Sequence, residues 1–72
     1  MVNKAEFRAE MVRHGDRQED LAKALGMSVT TLSLKINNER AFTAPEIELI
    51  ALRYKLTAEA IQRIFFALTV AI

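Results

Sequence analysis

Residues 18–38, QEDLAKALGMSVTTLSLKINN, constrain this chain more than any other stretch. Their apolar spacing predicts two short helices joined by a tight turn. The first spans Gln18 to Leu25 and puts Leu21, Ala22 and Leu25 on one face. The second starts after Ser28 and runs to about Asn37, with Leu32 and Ile36 facing inward. Gly26 between them can take the left-handed conformation that ends a helix, and Ser28 can cap the next one. Helices this short cannot bury their own apolar faces, so the rest of the chain must pack on them. The outer face of the second helix is left uncommitted, and function is expected there.

The support has to come from a small molecule. Seventy-two residues allow one domain, 1–72. There is no cysteine to make a disulfide or a thiolate metal site. Tight helix packing and oligomerisation are the remaining ways to stabilise such a scaffold, and a 51% apolar composition favours a packed core plus a buried interface.

The flanking segments read as helices too. Residues 3–13 predict a first helix, with Ala5, Ala9 and Val12 on one face, Phe7 and Met11 beside them, Phe7 as a core anchor, and Glu6 and Glu10 on polar faces. Asn3 and Glu6 resemble a capping box. His14-Gly15-Asp16 breaks this helix, and His14 suits its C-terminal end. After the central pair, Asn38 can close the second helix in the left-handed conformation, and Phe42 plugs the following connector into the core. Thr43-Ala44-Pro45-Glu46 is a helix start, with a threonine cap, a proline in the first turn and a glutamate completing the box. Ile47, Ile50, Ala51 and Tyr54 follow at core-facing spacing. Leu56-Thr57 ends that helix and caps the last one, which is lined by Ala58, Ile61, Ile64 and Phe65.

The apolar tail, residues 66–72, favours extended structure. It either folds onto its own core or is exchanged, as a strand or helix end, with a second subunit. The expected fold is all-α: a compact five-helix domain with a short apolar C-terminal tail that can form a strand.

Several function classes are disfavoured at once. His14 stands alone, without a metal-ligand cluster, and no nucleophile–base pair, paired carboxylates or phosphate-cradling glycine loop is present. Neither an enzyme, a cofactor nor a small-molecule ligand is expected. The N-terminal residues MVNKAEFRAE lack the apolar run of a secretion signal, and the stretch from Ile64 to Ile72 is too short to span a bilayer. A cytoplasmic protein without membrane contact is expected. Ten basic and nine acidic residues leave a formal charge of +1, which neither demands nor excludes nucleic acid.

The pattern Q-x-x-L-A-x-x-L-G-M-S-x-x-T-L-S, Gln18 to Ser33, resembles the helix-turn-helix of the phage repressor and Cro superfamily. The later run from Asn37 to Phe66 is similar to small Cro-like regulators of phages and prophages in Gram-positive bacteria. The resemblance implies a lambda-repressor-like DNA-binding domain whose second motif helix enters the major groove. The residues fit that geometry. Ala22 is small where the two helices cross, and Leu21, Leu25, Met27 and Leu32 fix the angle between them.

Val29, Thr30, Ser33, Leu34 and Asn37 are then the candidates for base contacts. Val29 and Leu34 can meet thymine methyl groups, and Thr30 can do the same or hydrogen-bond a base edge. Gln18, Ser28, Thr31, Lys35, Asn38 and Arg40 are the candidates for phosphate contacts, which position a protein without reading sequence. Lys35 departs from the family, which often has a core residue there. Ile36 is expected to supply the packing while Lys35 reaches outward. The outer face also lacks arginine and glutamine at its start, which shifts sequence reading toward methyl contacts and DNA shape.

The expected function is a sequence-specific transcriptional repressor that binds double-stranded DNA, on a palindromic operator, as a homodimer that can form through residues 66–72. The alternative is a protein-interaction module of the same fold, antirepressor-like or antitoxin-like, that does not read DNA.

Overall fold

Helices in this protein start where a side-chain oxygen can take up a free backbone N–H. In the computed structural model, which describes residues 1–67, the helices are α1 (Lys4–Arg13), α2 (Gln18–Leu25), α3 (Val29–Ile36), α4 (Ala44–Tyr54) and α5 (Ala58–Phe65). Asn3 caps α1 by accepting the Glu6 N–H at 3.2 Å. Ser28 does the same for Thr31 at 3.1 Å and Thr57 for Ala60 at 3.1 Å. Thr43 and Glu46 form the full reciprocal box at the start of α4. α2 is capped from inside, the Asp20 carboxylate accepting the Arg17 N–H at 2.9 Å.

The ends are as localised as the starts. Gly26 has φ +69°, a conformation that costs a side-chain-bearing residue energy. It stops α2 and lets the Met27 N–H reach the Ala22 carbonyl at 3.0 Å. Asn38 closes the turn after α3 at φ 65°. Lys55 adopts φ 51° and ends α4 one residue ahead of the predicted break at Leu56-Thr57.

The five helices share one core. Phe7, Leu21, Leu32, Ile36, Ile50 and Ile64 are its fully buried side chains. Phe42, from the connector, stacks on Phe7 at 5.6 Å between ring centroids, and both meet Phe65 edge-on. Such pairs add to the area term of a thin core.

Two predicted faces are rotated. On α1 the buried residues are Phe7, Glu10 and Met11, while Ala5, Ala9 and Val12 are exposed. The large pair at 7 and 11 dictates the stripe because alanines bury too little area to compete. Glu10 enters with that stripe, its carboxylate paired with Arg13 and 3.5 Å from His14. On α5, Ala60 is buried with Ile64 and Phe65, whereas Ala58, in the first turn, is exposed.

A second polar cluster joins the α1–α2 turn to α4. Asp16 accepts two hydrogen bonds from Arg53 at 2.7 Å and one from the Tyr54 hydroxyl at 2.6 Å. His14 stacks on the Tyr54 ring at 4.7 Å. No strand forms among the described residues. Of the predicted tail, Phe66 is half exposed and the Ala67 N–H donates to the Met1 carbonyl at 3.1 Å. The rest of the expected tail, residues 68–72, lies outside the described residues.

Candidate nucleic-acid interface

α3 is held rigidly from below. Leu32 and Ile36 are fully buried against Leu21 and Ala22 of α2 and the wider core. Rotating the helix would expose both, so its outer face has a fixed direction. That face carries no charge: of the residues in α3, only Lys35 is ionic.

The five predicted base-contact residues lie on this side by helical spacing. Val29 is 44% exposed and Thr30 is exposed, both in the first turn. Ser33, Leu34 and Asn37 are half-buried. The Asn37 amide donates to the Ser33 hydroxyl at 3.3 Å, one turn back. The Leu34 carbonyl accepts the N–H groups of Glu39 at 2.8 Å and Arg40 at 3.3 Å, which folds the following turn back on the end of α3. The accessible polar chemistry is thus hydroxyls and amides, with Val29 as the exposed apolar group.

The predicted phosphate-contact residues divide. Gln18 opens α2, half-buried in a shallow groove with Arg8, Met11, Val12 and Asp16. Ser28 and Thr31 are joined, the Ser28 hydroxyl donating to Thr31 Oγ1 at 3.0 Å while accepting the Thr31 N–H. Arg40 is exposed and makes no ion pair among the described residues.

Lys35 does not reach outward. It is 8% exposed, and its ammonium donates to both carboxylate oxygens of Glu46, at 2.5 and 2.7 Å. The correction has a physical cause. The position faces the start of α4, and a lysine buried there needs an opposite charge. Burial opposes the Glu46 charge, but the bonds from Lys35 and from the Thr43 N–H outweigh it, so its pKa falls below the ordinary glutamate value. Asn38 takes the predicted left-handed backbone and stays exposed, and its side chain also bonds the N-terminal segment. Its Oδ1 accepts the Val2 N–H at 2.7 Å and its Nδ2 donates to the Val2 carbonyl at 3.0 Å.

Glu46 and Val2 are therefore the site residues that sequence reading missed. A signal existed for Glu46: a lone charge on a core-facing position of α3, with an acidic residue at the next helix start. Val2 left none, because it offers only backbone groups.

No group of His, Cys, Asp or Glu that could hold a metal ion occurs among the described residues, and no helix there is long and apolar enough to cross a membrane. A family model described as "Helix-turn-helix" matches residues 7–61, from the middle of α1 into α5. Comparison with curated proteins and with solved structures finds no match. With the motif placed on α2 and α3 and the match covering most of its length, the chain belongs to the Cro/C1-type helix-turn-helix family of DNA-binding regulators.

Proposed function

We propose that the protein is a sequence-specific transcriptional repressor that lays α3 in the major groove of its operator. One observation carries the reading: α3 is locked along its inner face by Leu32 and Ile36, while Val29 and Thr30 project from its N-terminal turn. An α-helix presented in this way fits the width of the groove. Val29 and Leu34 meet thymine methyl groups, and Thr30, Ser33 and Asn37 address base edges. Gln18, Ser28, Thr31 and Arg40 hold phosphates. Lys35 leaves that set, because Glu46 holds its buried ammonium, whereas Asn38 stays in it, exposed and with a second amide N–H beyond the one given to Val2.

The protein acts without catalysis or cofactor, inside the cell, by occupying DNA that polymerase needs. It binds as a homodimer, with residues 66–72 meeting a second copy, on a palindrome whose half-sites lie about one turn, roughly 34 Å, apart. The sequence resemblance favours a phage or prophage origin.

Selection of bound sites from random duplex DNA tests this. A palindromic consensus with that spacing supports both the reading and the dimer, and no enrichment overturns it. The exposed apolar Val29 and the uncharged outer face also favour a second reading, a protein-binding module of the same fold. Salt separates the two: DNA affinity falls steeply as salt rises, whereas an apolar protein interface is largely insensitive.

A further inference from the structure

The last turn of α3 is tied to a residue outside the motif. Lys35 and Glu46 have side chains only 10% and 19% exposed, so little water competes for their contact. The carboxylate cannot swing, because its Oε1 also accepts the Thr43 N–H at 2.9 Å. Thr43 and Glu46 cap α4, and Ile50 and Tyr54 seat that helix in the core. The ammonium also lies 5.9 Å from the ring centroid of Phe42, which packs on Phe7 and Phe65. A buried ion pair generally adds little stability over an apolar pair of the same volume. What it adds is direction, since a small shift or rotation of α3 leaves a buried ammonium without its partner.

We infer that Lys35 and Glu46 are a positioning pair that sets the pose of the recognition helix, so that Glu46, an acidic residue beyond the motif, governs sequence discrimination. The pair touches no base. It acts through the angle at which Val29, Thr30 and Ser33 are offered. The inference rests on the proposal that α3 reads DNA.

The test uses the full chain and three variants: Lys35→Met, Glu46→Gln and the two combined. Glutamine keeps an oxygen for the Thr43 N–H. Each variant is first checked for folding by circular dichroism. Affinity is then measured for the site selected by the wild type and for a random duplex, across a salt series.

The expected result is a loss of about tenfold for the selected site in either single variant, the size of a coupling between neighbouring groups. The double variant should be no worse than the singles, and random-duplex affinity and the salt slope should not change. A change in overall stability alone would lower both affinities together.

If only Lys35→Met weakens binding and the salt slope drops by about one, Lys35 is a phosphate contact and the inference is overturned. Unchanged discrimination in all three variants overturns it too. If the wild type selects no sequence, the DNA-reading proposal fails and the inference with it. Should a single variant leave a buried charge unpaired and fail to fold, Lys35→Met with Glu46→Met carries the test. That variant restores apolar packing and should fold while still losing discrimination.

Discussion

The two ends of α3 are built on different principles. At its N-terminal end, Ser28 caps Thr31 within one turn, and Val29 and Thr30 stand in solvent. At its C-terminal end, Lys35 reaches Glu46 and Asn38 clasps Val2, partners 11 and 36 residues away in sequence. The difference teaches where freedom lies. The end offered to the groove rests on local bonds, so its exposed side chains can change without disturbing the fold. The opposite end carries the long-range contacts that decide where the helix points.

Leu32 lies under both ends, and truncating it is the most severe way to break the comparison. Leu32→Ala should cost about 2–5 kcal/mol, against a total of order 5 kcal/mol for so small a domain. Urea unfolding should show a midpoint shifted far toward zero denaturant, with the two ends lost together.

Asn38 separates them. Asn38→Ala removes both bonds to Val2 at about 1–3 kcal/mol in all and leaves a left-handed backbone that alanine resists by about 1 kcal/mol more. Asn38→Gly loses the same bonds without the backbone strain. Glycine should therefore be the milder variant in thermal unfolding. Equal losses would mean that the clasp alone matters.

How much of this was legible follows the same division. Gly26, the Ser28 cap and the Thr43-Pro45-Glu46 start are signals within four residues of their effect, and they placed the motif and α4. The α1 face is ambiguous because alanine, valine, phenylalanine and methionine in ten residues fit more than one stripe: Phe7 is legible as a core anchor, and only packing sets Glu10 and Met11 beside it. Lys35 was misplaced for a deeper reason. A lysine goes to solvent unless a specific carboxylate is waiting, and Glu46 reaches it only once α4 has folded back. Asp16 was read as turn material for the same reason, its partners Arg53 and Tyr54 being brought to it by tertiary structure.

Acid should sharpen the contrast, since the C-terminal end depends on a carboxylate and the N-terminal cap on a hydroxyl. Glu46 has a lowered pKa when folded, so its contribution is complete above its unfolded value and lost as pH falls through the folded one. Protection of the amides of residues 35–39, taken relative to their intrinsic exchange rate at each pH, should therefore fall in acid by an opening worth roughly 1–2 kcal/mol, ahead of residues 29–31. Asp16 is a second carboxylate that acid should release. The Arg53 hydrogen bonds, against the cost of burial and with help from Tyr54, keep its pKa at about 2 rather than 3.8. The α4 contact it makes is thus lost between those values. A uniform loss of protection along α3 would show that its ends do not open separately, and Glu46→Gln should flatten the acid response at residues 35–39.

The smallest expected change in stability is at Thr30, and it bears most directly on function. Its side chain is exposed, and no hydrogen bond to its hydroxyl occurs among the described residues. Thr30→Ala should leave unfolding within about 0.5 kcal/mol of wild type. If the hydroxyl or methyl meets a base, affinity for the selected site should still fall by about 1–3 kcal/mol, with the random-duplex affinity and the salt slope intact. The same separation should hold at Val29, whose truncation removes a methyl contact and no core packing. Asn38→Ala should give the reverse balance, a clear loss of stability with a smaller loss of discrimination. A Thr30→Ala protein that binds its site as tightly as wild type would move the reading surface off the N-terminal turn. The groove would then be met further along α3, at Ser33 and Asn37, next to the end that the long-range contacts hold.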